Sequence, residues 1–288
     1  MEYLLVVSDM DGTLLRDDKT ISARTIAAIK RYEAAGGRFT VATGRSVDAA
    51  SQHTRTLGLR TPLLLLNGCL GYDAATGEDL FCHGLHSSLV EAVWPILRDH
   101  RLDIIVHGTR RGIAREINET VAEHLRDDGI TLDVRADLSP ANAGSVVKIL
   151  TIGEPATLDA AEAEIVQAGI GVQLVRSHPM YLEVLPSGGG KGTALTTLAE
   201  QLAIPRERTL AVGDFLNDLD MLAAAGLSVA MANAHPEVKR AADRWTASNQ
   251  DDGVALLLEA LVDGVPTFFP GKPPLRNVVD ITDGVLPR

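Results

Sequence analysis

Short β-rich runs alternate with helical patterns over residues 1–82, the alternation breaks near residue 84, and it resumes after Ser187-Gly188-Gly189-Gly190. Such a rhythm is the signature of βαβ units around a parallel sheet, so the expected class is α/β. Tyr3 to Ser8 reads as a buried strand. Ser22 caps a helix with Ile26, Ile29 and Tyr32 on one face, ending at Gly36-Gly37. Phe39 to Ala42 is a second strand, Ser46 opens a helix to about Leu57, and Leu63 to Leu66 is a third strand.

Between residues 84 and 186 the pattern changes. A helix from Ser87 to His100 carries Pro95, which predicts a kink. Strands near 102–107 and 112–115, helices near 118–127 and 155–168, and a strand from Tyr181 to Leu185 follow. This stretch reads as a second α/β unit inserted into the first. The rhythm then continues with a helix Lys191 to Ala203, a strand Thr209 to Val212, a helix Asn217 to Ala225, a strand Leu227 to Ala230 and a helix Gly253 to Leu261. The expected organisation is a discontinuous core of residues 1–83 and 187–264, an insert of residues 84–186, and an extended tail of residues 265–288. That tail holds five of the 13 prolines. Its apolar Phe268, Phe269, Val278 and Val279 predict packing onto the core or a second subunit.

Charge excludes some partners. With 27 Lys and Arg against 38 Asp and Glu, the formal charge of −11 repels nucleic acid and anionic membrane surfaces. A small phosphorylated molecule is still compatible, because a metal ion and local cations overturn the average field within one cleft. Cys69 and Cys82 have no companions at zinc-site spacing and read as reduced, half-buried thiols. No basic leader region and no long apolar run is visible, which predicts a cytoplasmic protein, a monomer or homodimer.

The first strand ends in Ser8-Asp9-Met10-Asp11-Gly12-Thr13, so two carboxylates two residues apart leave the sheet on one face. Open parallel sheets bind ligands at that C-terminal edge. Asp-x-Asp-Gly also occurs in plain turns and calcium loops. The other strand ends shift the balance: Thr43-Gly44-Arg45 follows the second strand, and Gly213-Asp214-Phe215-Leu216-Asn217-Asp218 follows the one at 209–212. Lys191 opens a helix behind three glycines, where free backbone N–H groups favour an anion. Singly, Thr43 is a cap, Lys191 a surface lysine and Asp214 an N-cap. Together at one edge they point to chemistry.

Asp9-Met10-Asp11-Gly12-Thr13-Leu14, Thr43-Gly44-Arg45, Lys191-Gly192 and Gly213-Asp214-x-x-Asn217-Asp218 resemble the four motifs of the haloacid dehalogenase superfamily. Asn67-Gly68 and Thr246-Ala247-Ser248-Asn249 extend the resemblance to the Cof-type hydrolases of subclass IIB. It implies a Rossmann-like core with an inserted α/β cap that sets the substrate, and a phosphomonoester hydrolase acting on a small phosphorylated metabolite such as a sugar phosphate. Asp9 is then the nucleophile and Asp11 the general acid and base. Mg²⁺ is held by Asp9, Asp214 and the Asp11 backbone carbonyl. Thr43, Gly44, Lys191 and Asn217 hold phosphoryl oxygens, and Asp218 orients Asp214 or a metal-bound water. A sugar-phosphate phosphomutase using the same nucleophile, or a non-catalytic phospho-ligand sensor, is the alternative.

Phe215-Leu216 departs from the small or polar residues usual there and predicts an apolar wall, while glycines 188–190 read equally as a loosened hinge or as a neutral linker variation. Arg45, Arg110, Arg111, Arg115, His178 and Tyr181 are candidates for the leaving group. Glu183 either accepts sugar hydroxyls or forms a structural salt bridge.

Overall fold

A computed structural model describes residues 2–128 and 132–264; the tail at 265–288 lies outside them. In chain order the first part holds β1 (Leu5–Ser8), α1 (Ala23–Ala34), β2 (Arg38–Val41), α2 (Val47–Leu57), β3 (Leu63–Leu65), β4 (Leu70–Asp73) and β5 (Glu78–Cys82). The middle part holds α3 (Ser87–Asp99), β6 (Asp103–His107), β7 (Gly112–Ala114), α4 (Glu119–Asp128), β8 (Leu132–Val134), β9 (Lys148–Ile152), α5 (Pro155–Gln167), β10 (Val172–His178) and β11 (Tyr181–Pro186). The last part holds α6 (Lys191–Gln201), β12 (Thr209–Gly213), α7 (Leu219–Ala224), β13 (Leu227–Ala230), α8 (Pro236–Ala241), β14 (Arg244–Trp245) and α9 (Gly253–Asp263).

Sequence distance is overridden at the centre. The first sheet runs β14-β13-β12-β1-β2, all parallel, so β1 lies between β2 and the distant β12. Leu5, Val6 and Val7 on β1 and Leu210, Ala211 and Val212 on β12 are fully buried, as expected of a parallel strand covered on both faces. Helix α1 starts where the Ser22 hydroxyl accepts from the Thr25 amide at 3.0 Å, and it buries Ala28, Ile29 and Tyr32 while packing on α9. The Tyr32 ring fills the space a side chain at Gly37 would need, 2.3 Å from a Cβ built there.

The third strand differs from expectation. β3 touches the parallel sheet through an isolated Ala42–Leu64 bridge and continues into an antiparallel hairpin, β3-β4-β5. This hairpin lies where a simple βα alternation was read, because Gly71 admits the Phe81 ring across the pair and no period-two pattern marks the strands.

The middle part forms a second sheet, β10-β11-β9-β6-β7-β8, antiparallel except for β7 with β8. Its two faces follow the strand period of two. Ile104, Val106, Ile149, Leu182 and Val184 pack with Val93, Leu97, Leu158 and Ile165 of α3 and α5. The other face presents Ile105, Leu150, Ile152 and Tyr181, partly covered by Val121 and Leu125 of α4. The remainder of that face looks onto the C-terminal edge of the parallel sheet. Helix α3 runs through Pro95.

Of the three glycines before α6, Gly189 and Gly190 are packed, whereas Gly188 has open space around it. A Cβ at Gly189 would stand 3.0 Å from the Pro186 carbonyl, and one at Gly190 2.4 Å from an Asp220 carboxylate oxygen. The free amides expected at this helix start are also partly used, since Gly192 N–H donates to Asp220 at 3.0 Å. The two cysteines are free thiols in unlike settings, Cys69 buried and Cys82 exposed.

Candidate active site

Asp9 is carried out of β1 with its amide donating to the Val212 carbonyl at 2.9 Å, which seats it between the ends of β1 and β12. Its Oδ1 receives Lys191 Nζ at 2.5 Å, and the same Nζ reaches Asp218 Oδ1 at 2.6 Å. Lys191 is wholly buried at the first turn of α6. Asp218 spends its second oxygen on the amides of Asp214 (2.8 Å) and Phe215 (3.1 Å), so it shapes the loop after β12. Asp214 Oδ1 accepts from Thr13 Oγ1 at 2.7 Å, and its carboxylate occupies the space of a side chain at Gly12, whose φ is +76°.

Asp9, Asp214 and Asp218 each offer an oxygen within 4.8 Å of the others. Three carboxylates with one ammonium leave excess negative charge in a dry place. Burial pushes the Asp9 carboxyl up, Lys191 opposes the rise, and Asp218 and Asp214 add to it. Asp214 is pushed up to about 7, by burial first and by the Asp218 charge second. Burial alone would lower the Lys191 pKa, but Asp218 and Asp9 carry it upward, so its ammonium is permanent.

Asp11 faces elsewhere. Arg45 grips its carboxylate with Nε at 2.7 Å and Nη2 at 2.8 Å, and Lys19 Nζ adds a contact at 2.8 Å. Burial works against ionisation here, yet Arg45 and Lys19 hold this carboxyl well below its usual range. The Asp11 side chain is therefore outside the acidic cluster.

Thr43 is buried with its Oγ1 accepting from the Arg45 amide at 3.2 Å. The next loop turns through Leu66, Asn67 and Gly68, all with left-handed φ. A Cβ at Gly68 would stand 2.3 Å from the Gly190 carbonyl oxygen, so the loop after β3 and the entrance to α6 interlock through glycine. Asn217 Nδ2 donates to Asn67 Oδ1 at 3.3 Å. Gly68→Ala is expected to cost about 2–3 kcal/mol, since a strained φ and a backbone clash coincide. Urea unfolding showing no shift in midpoint would contradict this interlock.

These groups open into a cleft of about 430 Å³ between the two sheets. Asp9, Asp11, Thr43, Gly44, Arg45 and Asn217 line one side, and Phe215 forms the expected apolar wall. From the second sheet come His178 and Tyr181, with Leu150, Ile152 and Met180 beside them. Arg110, Arg111 and Arg115 do not reach the cleft. Arg110 lies over the Tyr72 ring and pairs with Asp79, Arg111 pairs with Asp133, and Arg115 leans on the Ala136 carbonyl. Arg110 and Arg111 belong to the β6–β7 turn.

Two cations went unread in the sequence, Lys19 and Lys148. Lys19 is delivered by a tight turn with φ +63°, held by Arg16 to Asp252 and by Asn249 to Leu15 and Asp17. No local pattern announces that. Lys148 had a signal, a lone charge within Val146-Val147-Lys148-Ile149-Leu150, where an apolar strand buries whatever it carries.

The family model for haloacid dehalogenase-like hydrolases matches residues 6–258. The chain belongs to this family. This hydrolase is 31% identical over 266 residues to 5-amino-6-(5-phospho-D-ribitylamino)uracil phosphatase YitU of Bacillus subtilis, covering 88% of this chain and 96% of that one. It is 31% identical over 240 residues to the HMP-PP phosphatase of Cronobacter sakazakii, with 80% and 84% covered. A solved haloacid dehalogenase-like hydrolase from B. subtilis superposes with TM-score 0.81 at 25% identity, over 91% of this chain and 100% of that one. The hydrolase is thus a phosphatase on a mixed α/β fold. Among its described residues no helix is long and apolar enough to cross a membrane.

Proposed function

We propose that the protein hydrolyses the phosphate monoester of a small, ring-bearing metabolite with Asp9 as nucleophile and Mg²⁺ as cofactor. Residues 1–83 and 187–264 form the catalytic core in this reading, and residues 84–186 the substrate-selecting cap. The observation that carries it is the buried Asp9 carboxylate at the floor of an open cleft, beside Lys191 and a second carboxylate, Asp214.

The donor set fits a hard divalent cation: oxygen ligands, excess negative charge, and one carboxyl raised to about 7 by burial and by the neighbouring Asp218 charge. Asp9, Asp214 and the Asp11 backbone carbonyl would hold it. When bound, Mg²⁺ neutralises phosphoryl oxygens that would otherwise be repelled by the carboxylates. Thr43, the Gly44 amide, Asn217 and the Lys191 ammonium bind the remaining phosphoryl oxygens.

An Asp9 oxygen attacks phosphorus, the bond to the leaving oxygen breaks, and Asp11 donates the proton that leaving oxygen needs. Asp11 then takes a proton from water as that water attacks the aspartyl phosphate, which frees inorganic phosphate and restores Asp9. Asp11 is ionised in the grip of Arg45 and Lys19, so its acid role requires it to leave them and take up a proton from solvent before it meets the leaving oxygen. Arg45 thereby belongs to the Asp11 side of the site.

The leaving-group end combines an apolar strip, Leu150, Ile152, Met180, Tyr181 and Phe215, with the polar Thr120, Glu123 and Ser177. A flat ring with hydroxyl or amino substituents matches this better than a bare sugar. The uracil bearing a phosphorylated ribityl chain in the YitU name is of this kind. A panel of phosphate esters with and without Mg²⁺ tests the reading: phosphate release that a chelator abolishes is expected, fastest with ring-bearing esters. No release from any ester would sink it, and an ester isomerised without phosphate release would indicate a mutase.

Stability should report the metal separately from turnover. A carboxyl raised on folding contributes stability below its ordinary value near about 4. That contribution is lost as pH rises through about 7, where Asp214 ionises. Binding of Mg²⁺ requires the ionised form, so its stabilisation grows in the same direction. The rise in melting temperature caused by Mg²⁺ is therefore expected to be larger at pH 8 than at pH 5. Equal increments at both pH values would remove Asp214 from the metal site.

A further inference from the structure

Lys148 and Glu183 face each other with side chains 4% and 3% exposed, and the reaction described above uses neither. Taking two charges out of water is costly unless each donor and acceptor is matched. The matches here cross between the two sheets. Lys148 Nζ donates to Glu183 Oε2 and, at 2.8 Å, to the carbonyl oxygen of Gly44. Glu183 Oε1 accepts from Ser177 Oγ. Burial pushes the Glu183 carboxyl up, but Lys148, Ser177 and Asn67 together hold it below the ordinary range. Three adjacent strands, β9, β10 and β11, thus converge on one carbonyl of the loop after β2.

We infer that Lys148 and Glu183 are positioning residues that lock the Gly44–Arg45 peptide, so that the seated second sheet completes the phosphoryl-binding loop. This rests on the assignment of Thr43 and Gly44 to phosphate binding. Glycine has no side chain to restrain its rotation, and a Cβ at Gly44 would stand only 3.3 Å from Asn67 Oδ1 and 3.5 Å from Glu183 Oε1. The loop therefore needs glycine for room and an outside contact for rigidity. The Gly44 carbonyl and the Arg45 N–H share one peptide plane, and that N–H donates to Thr43 Oγ1 at 3.2 Å. Fixing the plane orients the Thr43 hydroxyl and starts the Arg45 side chain toward Asp11. A direct role for Glu183 in reading substrate hydroxyls is disfavoured, since Lys148 occupies one oxygen and Ser177 the other.

Lys148→Met alone strands Glu183 as a buried charge, so the informative variant is Lys148→Met/Glu183→Gln, with Lys148→Arg as the conservative control. Turnover of p-nitrophenyl phosphate and glucose 6-phosphate is measured together with hydrogen exchange of residues 43–46. The folded double variant is expected to lose about 100-fold in kcat on both esters, the order associated with small misplacement of a binding group. Its exchange at 43–46 should quicken, and Lys148→Arg should recover most of the rate. A loss confined to glucose 6-phosphate would assign Glu183 to the leaving group and overturn the inference, as would unchanged exchange. If wild type turns over neither ester, the exchange result alone decides for or against the lock, and the wider ester panel decides the proposed function.

Discussion

Asp9→Asn is expected to lower kcat by roughly four or more powers of ten, the scale seen when a nucleophile is removed. The amide matches the carboxylate in size but is a poor nucleophile and a weak ligand for a hard cation. The fold should survive, because Lys191 keeps Asp218 at 2.6 Å when Asp9 loses its charge. Removing one of three clustered carboxylates also relieves repulsion. Without metal, the variant should therefore melt no lower than wild type. Circular dichroism melts alongside phosphate release check both halves, and a variant retaining a tenth of wild-type activity would end the covalent mechanism.

Asp11→Asn and Asp214→Asn should fail in different ways. Loss of a general acid and base costs about 10²–10⁴-fold. Asp11→Asn should show such a loss at saturating Mg²⁺, with metal affinity unchanged, because its carboxylate is turned toward Arg45 and Lys19 rather than into the acidic cluster. Asp214→Asn removes a carboxylate of that cluster, so its activity should return as Mg²⁺ is raised. Calorimetric titration separates the two. Equal weakening of Mg²⁺ by both substitutions would dissolve the distinction between proton transfer and metal holding.

Much of the candidate site was legible because its residues sit at strand ends. Asp9, Thr43 and Asp214 each follow a β-branched or apolar run, and a parallel sheet brings such ends together whatever their distance in sequence. Lys191 was legible from glycines before a helix. What was not legible depends on side-chain direction across the two sheets. Arg110 and Arg111 had the right charge but are turned to Asp79 and Asp133, whereas Lys148 and Leu150 face the cleft through strand alternation and a register set by β11. The β4–β5 hairpin escaped because Gly71 and the exposed Glu78, Asp79 and Leu80 break any two-residue period. Lys19 depends on a left-handed turn that contacts from residues 249–252 impose.

The central claim is that phosphorus is bonded to Asp9 during turnover. Rapid acid quench of the enzyme with substrate and Mg²⁺, followed by digestion and mass spectrometry, tests it directly. The peptide holding Asp9 is predicted to gain the mass of one phosphoryl group, with fragmentation placing it on Asp9, and Asp9→Asn is predicted to gain none. Steady turnover with no phosphorylated peptide, or with the phosphoryl group on another residue, would contradict the account.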